Sequence, residues 1–275
     1  MPLVFAAIAP HGGIAINDEV ARVTRAGMEE LGRRFAAARP ETIVVATPHN
    51  VHISDAFGVI VANRTAGKLA DFEPATELDL PCDTELAWRI FEAFGAAGLA
   101  AAGVSFGSND LTTAVAPLDW GALIPLWFMG GREEPPVPVV IVTPARDRSP
   151  ADHVTAGAAI ALTAANSNKR TAFIASADHG HAHLASGPYG FHPDAAKYDS
   201  LMTDLVRENA LERLVDVDRD FVERAKADSW WQMLMLHGAT MGAGRAQGAK
   251  WEGELISYEA PTYFGMLTAA YSRTT

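Results

Sequence analysis

The stretch from Thr171 to His183 reads TAFIASADHGHAH. Its first half, Thr171 to Ala175, is short, apolar and partly β-branched, as is typical of a buried strand. Its second half contains an aspartate followed by three histidines at alternate positions, His179, His181 and His183. Because α/β folds gather their binding sites at the carboxyl ends of strands, this polar half is a candidate functional site.

Similar apolar runs recur along the chain and are predicted to be strands. They are Leu3 to Ala9, Thr42 to Ala46, Gly58 to Ala62 and Val137 to Val142. Alanine-rich segments with helical periodicity lie between them, at Asn17 to Ala38, Asp83 to Ala97, Ala151 to Ala165 and Ala195 to Arg207. This alternation predicts an α/β fold with a mixed or mostly parallel central sheet, covered by helices on both faces.

The ends of several helices can also be predicted. The sequence NDEV at Asn17 offers capping residues, and Pro193 or Asp194 can open the helix at Ala195. The segment 216–239 reads as two further helical pieces, and the second is expected to end at Gly238, before a glycine-rich loop.

Composition limits both the architecture and the partners. The 275 residues are 49% hydrophobic and 20% charged, as in an ordinary globular protein. Without an internal repeat, a low-complexity linker or a break in composition, the chain 1–275 is expected to be one domain. The net charge of -11, with no basic stripe, argues against nucleic acid or an anionic membrane as the main partner. A small-molecule substrate is favoured.

The cysteine count restricts the kind of metal site. Cys82 is the only cysteine, so an intrachain disulfide and a thiolate cage are both excluded, and any metal must be held by His, Asp or Glu. A reducing cytoplasm fits this usage. The apolar N-terminus is interrupted by a proline, a histidine and two glycines, so we expect it to be a strand and not a membrane span.

Two more histidines follow predicted strands. His11 lies in FAAIAPHGG and His49 in IVVATPHNVH, each directly after a proline that keeps the strand's exit extended. If the two strands are neighbours in the sheet, these histidines emerge side by side. Two imidazoles and one carboxylate form the facial triad that holds non-haem Fe(II), although Zn²⁺ could use the same ligands. The other interpretation is that both are polar residues with satisfied hydrogen bonds at strand ends.

The order and spacing of six motifs give the chain a family resemblance. It resembles the class III extradiol ring-cleaving dioxygenases, the superfamily of the protocatechuate 4,5-dioxygenase catalytic subunit, from residue 1 to the C-terminus. The motifs are PHGG at 10–13, TPHN at 47–50, LDWGALIPLWFM at 118–129, SADHGHAH at 176–183, DSWWQMLMLHGA at 228–239 and SYEAPTYFGML at 257–267.

This resemblance implies a single three-layer αβα domain with a mononuclear Fe(II) site that inserts both atoms of O2 into a catechol-like ring. It makes His11 and His49 metal ligands and His181 the base that takes a proton from the substrate. His179 and His183 are then expected to support catalysis and substrate binding respectively, by shaping the pocket or meeting an acidic group of the substrate.

The third ligand implied by the resemblance is Asp228, an acidic residue just ahead of a helix that contains a pair of small residues. Glu223 and Glu259 are the alternatives, because the alignment of this segment is uncertain by one or two residues. Asp228 also precedes Ser229 directly, so it could instead cap the helix.

One position departs from the family pattern. Many relatives have a histidine in the sequence D-H-G-x-x-x-P, whereas this chain has Asp119, Trp120 and Gly121, with Pro125 following. Trp120 cannot accept a proton, but its ring can stack on an aromatic substrate. The departure therefore affects the identity of the substrate more than it affects the metal.

Two other branches of the superfamily are alternatives to an iron dioxygenase. One is the zinc-containing DOPA-dioxygenase-like enzymes, and the other is the Memo-type branch, associated with binding or signalling. The presence of His11, His49, His181 and a candidate acid together favours an enzyme, since a binding surface needs no base beside a metal.

The resemblance also implies the partners. These are a small aromatic diol or aminophenol and O2, with a homo-oligomer or a small second subunit as the assembly. The C-terminal aromatic residues are expected to be core, or in part a subunit interface. Arg170, Lys197 and Arg245 could meet a substrate carboxylate, although each is more typical of a solvated surface charge.

Overall fold

The computed structural model describes residues 2–16, 19–69 and 76–274. The strands are β1 (Leu3–Ala9), β2 (Thr42–Ala46), β3 (Phe57–Ile60), β4 (Arg64–Leu69), β5 (Thr76–Pro81), β6 (Ala101–Val104), β7 (Val115–Pro117), β8 (Val139–Thr143), β9 (Thr171–Ser176), β10 (Lys250–Glu259) and β11 (Met266–Thr274). The helices are α1 (Arg22–Ala38), α2 (Thr84–Ala96), α3 (Trp120–Phe128), α4 (Pro150–Ala165), α5 (Pro193–Arg207), α6 (Arg219–Ala225) and α7 (Trp230–Gln247).

Eight of these strands form the central sheet, in the order β10-β11-β1-β9-β2-β8-β3-β6. The pairs β1 with β9, β9 with β2 and β2 with β8 are parallel, so their carboxyl ends meet at one edge of the sheet. β11 and β3 join this parallel centre antiparallel, at β1 and β8. The mixed sheet expected from the sequence is therefore confirmed, and β9, formed by the apolar run that precedes the three alternating histidines, lies at its centre.

Side chains of β9 alternate between two buried layers, as strand geometry requires. Phe173 and Ala175 belong to the cluster that includes residues of α2, α4 and α7, whereas Ala172 and Ile174 belong to the cluster that includes α1 and α3. Helices thus cover both faces of the sheet, which confirms the three-layer αβα fold. A continuous apolar run such as TAFIA is the expected composition of a strand buried on both faces.

Helices α4 and α7 pack at very short range through glycines. A Cβ atom on Gly238 would overlap the carbonyl oxygen of Val154, and one on Gly157 would overlap that of Met235. The prediction that α7 ends at Gly238 is wrong, because the helix runs on beyond this residue. The glycine permits the close approach, and the helix continues to Gln247, where Gly248 ends it with a left-handed φ of 59°.

Other boundaries differ by a few residues. The helix predicted from Asn17 begins at Arg22, and Asn17 itself lies outside the described residues. Pro193 occupies the first turn of α5, as expected, with His192 as its N-cap. The three-stranded sheet β5-β4-β7 and the β10-β11 hairpin were not predicted, because their strands carry weaker apolar patterns. Within the described residues, no helix is both long enough and apolar enough to cross a membrane.

Candidate metal centre

The two strand-end histidines meet at the carboxyl edge of the sheet, although their strands are not neighbours. β9 lies between β1 and β2. His11 follows β1, His49 follows β2, and their Nε2 atoms approach to 3.2 Å across the end of β9. The expected pairing of the rings is therefore present, with the polar end of β9 beneath it.

Asp228 completes a cluster of three donors. Its Oδ2 lies 3.5 Å from His11 Nε2 and 3.7 Å from His49 Nε2, and one ligand atom from each residue lies within 4.8 Å of the others. Its Oδ1 is buried and has no hydrogen-bond partner in the part of the chain that the structure describes. Asp228 does not cap α7. The N-cap is Ser229, and its side chain makes no capping hydrogen bond.

The two alternative acids lie elsewhere. Glu223 is exposed and pairs with Arg219 at 3.2 Å. Glu259 accepts a hydrogen bond from the backbone N–H of Thr24 at 2.6 Å. Neither joins the cluster of His11 and His49 in the described structure.

A hydrogen bond at Nδ1 fixes the orientation of the His11 ring. Its Nδ1 donates to the hydroxyl of Ser176 at 2.9 Å, and that hydroxyl donates in turn to the carbonyl oxygen of Gly121. Because the hydroxyl proton is already used, Ser176 must accept from His11, and Nδ1 therefore carries a proton. Nε2 is left to face the cluster, in the tautomer that a metal-ligating histidine needs.

A second carboxylate, which the sequence reasoning overlooked, lies beside His11. Asp178 is buried, accepts a hydrogen bond from the His11 backbone N–H at 2.9 Å and places Oδ2 3.6 Å from His11 Nε2. The sequence feature that could indicate it is its place in SADHGHAH, directly after the buried strand β9. Asp178 and Ser176 thus join the β9 end to the β1 histidine.

The electrostatics of the cluster favour a bound cation. Burial alone would lower the pKa of His11, but the carboxylates of Asp178 and Asp228 raise it to about 9. Burial would raise the pKa of Asp228, but His11 lowers it to about 2. Burial and the neighbouring His11 lower the pKa of His49 to about 4. In the metal-free protein a proton on His11 thus balances buried negative charge, and a divalent cation could replace that proton.

The cluster opens onto a cavity of about 1010 Å³. His49 and Asp228 lie in its wall with Trp120, Trp231 and His181. The ring of Trp120 is half exposed, and its centroid lies 4.2 Å from that of His49. Trp120, which stands where many relatives have a histidine, thus presents an aromatic face beside His49, a candidate metal ligand.

The three histidines of the β9 loop have different surroundings. His181 lines the cavity, and its ring is stacked on Phe264 with centroids 5.4 Å apart. Its Nδ1 is buried and finds no hydrogen-bond partner among the described residues. His179 is fully buried and shares a 3.0 Å hydrogen bond with the Ser229 hydroxyl. His183 donates from Nε2 to Asp199 at 2.8 Å. The structure therefore brings His181 into the cavity wall, but neither His179 nor His183.

The candidate substrate-binding cations also lie elsewhere. Arg170 donates to backbone carbonyl groups at the end of α1, and Lys197 pairs with Asp194 at 3.1 Å. Arg245 lines a separate cavity near the end of α7. Instead, Arg146, which follows β8, lies in the wall of the metal-site cavity. The sequence feature that could indicate Arg146 is its place shortly after the buried strand β8.

Comparison with known proteins agrees with this architecture. The solved structure of protein JW3007 from Escherichia coli K12 has the same fold, with a TM-score of 0.65 at 17% identity over 97% of this chain and 99% of that one. Protein CA_C1420 from Clostridium acetobutylicum is 25% identical over 254 residues, or 92% of this chain. The chain spans about half the length of that relative, 52%.

The family comparison covers almost the whole chain. Residues 8–267 match the family described as the catalytic LigB subunit of aromatic ring-opening dioxygenase. The match begins within β1 and ends within β11, so it includes the loops that carry His11, His49, His181 and Asp228. The chain belongs to the family of the catalytic LigB subunit of aromatic ring-opening dioxygenase.

Proposed function

We propose that this protein is a non-haem Fe(II)-dependent extradiol dioxygenase that opens a catechol-like aromatic ring with O2. The observation that carries the proposal is the cluster of His11, His49 and Asp228, with ligand atoms within 4.8 Å of one another at an aromatic-walled cavity. Family membership supports the same reaction class.

The donor set fits Fe(II). Two imidazole nitrogens and one carboxylate oxygen form a facial triad, which leaves coordination positions open on the cavity side. The Oδ2 atom of Asp228, which faces both histidines, and the Nε2 atom of His11 are the ligand atoms that such an ion would bind. When bound, Fe(II) supplies the redox-active centre through which electrons can pass from the ring to dioxygen.

His181 is assigned the acid–base role. It lines the same cavity as His49 and Asp228, so its imidazole ring is placed to accept a proton from a substrate hydroxyl bound there. Stacking on Phe264 and the hydrogen bond from its backbone N–H to the Ala225 carbonyl oxygen hold the ring in place. Proton transfer by a positioned base is worth about 10²–10⁴-fold in rate.

The neighbouring groups position these residues. The Ser229 hydroxyl, next to Asp228, bonds to His179 and, at 2.9 Å, to the hydroxyl of Tyr198. We assign His179 to this supporting network, which fixes the start of α7. Trp120, half exposed in the cavity wall, supplies an apolar face that can receive an aromatic ring.

The test is anaerobic purification and metal analysis, followed by O2 uptake with a panel of catechols after Fe(II) addition. Stoichiometric iron, uptake and a new yellow ring-fission product are the expected result. The same donors suit Zn²⁺. Bound zinc, or iron without uptake across the panel, would instead favour the zinc enzymes or a non-enzymatic role.

A further inference from the structure

A second large cavity, the α7-end cavity, lies at the far end of α7 from the metal cluster. Its volume is about 1090 Å³, and its walls come from the second half of α7, the 3-10 helix Leu211–Asp216 and the hairpin of β10 and β11. Trp231 lines the metal-site cavity, and Arg245 lines this one. Because an α-helix rises about 1.5 Å per residue, the two positions lie about 20 Å apart along the helix. No described residue lines both cavities, so the α7-end cavity is a separate candidate site.

One face of α7 forms the first wall. His237, Met241 and Arg245 line the cavity at intervals of four residues, the spacing that places side chains on one side of a helix. Burial lowers the pKa of His237, so its ring is neutral near pH 7. Arg245 is exposed, and its guanidinium forms no ion pair within the described part of the chain. The Trp251 ring lies beside Gly244, the residue before Arg245.

The β10–β11 hairpin forms the facing wall. Its register places Trp251 directly opposite Arg273, and residues opposite each other in an antiparallel pair project from the same face of the sheet. Arg273 is exposed, and none of the carboxylates that the structure describes pairs with it. Arg245 and Arg273 therefore reach the cavity from two different walls, and Trp251 is a neighbour of both positions.

Two buried side chains of this wall have polar groups without partners. Trp251 and Tyr271 are only 9% and 3% exposed, and among the described residues neither the indole Nε1 nor the phenol hydroxyl has a hydrogen-bond partner. The indole N–H can only donate, so it needs an acceptor. A buried donor that is left unpaired costs free energy. The wall is thus short of hydrogen-bond acceptors.

The charge of the wall has the opposite sign to that of the chain. The chain carries a net charge of -11, whereas the wall has three cationic side chains, Arg245, Lys250 and Arg273, and two acidic ones, Glu212 and Glu252. Lys250 and Glu252 pair with each other at 2.7 Å, and Glu212 is exposed on the 3-10 helix. The two arginines are therefore left to bind a ligand with at least two negative charges.

We propose that the α7-end cavity binds a small molecule that carries phosphate groups, with Arg245 and Arg273 as the residues that hold its oxygens. Each guanidinium presents a planar fork of N–H donors that matches two phosphate oxygens, and such oxygens are also the acceptors that the wall lacks. The volume leaves room for the organic part of the ligand, against Met241 and Trp251. The inference needs neither the metal nor O2, so it is independent of the proposed function.

The test is calorimetric titration of the full chain, in its metal-free form, with inorganic pyrophosphate at constant ionic strength. Removing the metal keeps pyrophosphate from binding through an ion in the cluster. The wild-type protein should bind one pyrophosphate per chain. Arg245→Gln and Arg273→Gln should each raise the Kd by about 10-fold or more, because each removes a charge-assisted hydrogen bond. Acetate at the same ionic strength should not compete, since a single charge cannot engage both arginines.

Tryptophan fluorescence locates the bound ion. Pyrophosphate should change the emission of the wild-type protein, because Trp251 lies in the cavity wall beside both arginine positions. Trp251→Phe should remove most of this change. A change of the same size in Trp251→Phe would place the ion elsewhere and overturn the inference.

Two other arginines provide matched controls. Arg213 lies on the same 3-10 helix as Glu212 but is paired with Glu208 at 2.9 Å, and Arg146 lies in the wall of the metal-site cavity. Arg213→Gln and Arg146→Gln should leave the Kd unchanged, and thermal unfolding checks that every variant is folded. The inference is also overturned if the wild-type protein shows no saturable binding, or if either control loses as much affinity as Arg245→Gln.

Discussion

Two buried histidines, His11 and His153, have opposite electrostatic surroundings. Both are almost wholly shielded from solvent, with 1% and 0% exposure. His153 packs against Phe57 in the core, and burial lowers its pKa to about 4. His11 experiences the same penalty, yet Asp178 and Asp228 raise its pKa to about 9. The core around His153 thus disfavours the charged imidazolium, whereas the carboxylates around His11 stabilise it.

The difference shows which region is built for function. A packed core gains stability by burying apolar groups, and a buried polar group there must be neutral or paired. The cluster instead gathers two carboxylates and two imidazoles, and it leaves the acceptor Asp228 Oδ1 without a hydrogen-bond partner among the described residues. Such local conflict is expected at a functional site, and the surrounding fold must stabilise it.

The largest expected effect is loss of the metal. His11→Ala, His49→Ala or Asp228→Ala should each abolish stoichiometric iron binding, because each removes one of the three proposed ligand atoms. Metal analysis after anaerobic Fe(II) loading measures this. Glu223→Ala, which removes an exposed acid close by in the sequence, should retain full iron. Iron content equal to wild type in Asp228→Ala would contradict its assignment as a ligand.

The next effect separates the histidines of the β9 loop. His181→Ala should keep its iron and lose about 10²–10⁴-fold in kcat, because the proton acceptor is gone. Steady-state O2 uptake measures this loss. His183→Ala serves as the comparison, and we expect it to affect mainly stability, since its ring is bonded to the buried Asp199. Near-normal ring cleavage by His181→Ala would rule out the base assignment.

The sequence predicts the elements around the cluster well, because their signals are local. The buried strand Thr171–Ser176 and the sites after β1 and β2 follow from apolar runs that end in polar residues. What it could not show was the strand order. The insertion of β9 between β1 and β2 depends on long-range packing, and it brings Asp178 and Ser176 against His11.

The misplaced end of α7 has a similar cause. Gly238 reads locally as a helix stop, but its lack of a side chain serves the contact with Val154 on α4. Likewise, Arg146 reads as a loop cation, and only the fold places it against Pro48 and Trp231. Residues whose roles depend on a partner far away in the sequence are those that pattern analysis cannot assign.

A smaller expected effect is a change in the free energy of unfolding that depends only on the packing of α4 against α7. Gly238→Ala should lower the free energy of unfolding by about 1–3 kcal/mol, because the new Cβ would overlap the Val154 carbonyl oxygen and the two helix backbones must separate. Gly95→Ala, at an open position in α2, should instead raise it by about 0.5–1 kcal/mol. Urea denaturation of the metal-free proteins gives both values. A free energy of unfolding that is unchanged or raised in Gly238→Ala would show that α4 and α7 are not closely packed at this glycine.

The smallest effect concerns pH and the core histidine. The pKa of His153 is about 4 in the folded protein and near 6.5 when unfolded, so the unfolded state binds more protons between these values. Stability is therefore lost as the pH falls from about 6.5 to about 4. His153→Phe removes this loss and should flatten the stability profile, by about 1–2 kcal/mol near pH 5 relative to wild type. Urea titrations at several pH values measure it, with the exposed His52→Phe as control. An unchanged slope in His153→Phe would mean that the ring is hydrated, and the contrast with His11 would then not arise from burial.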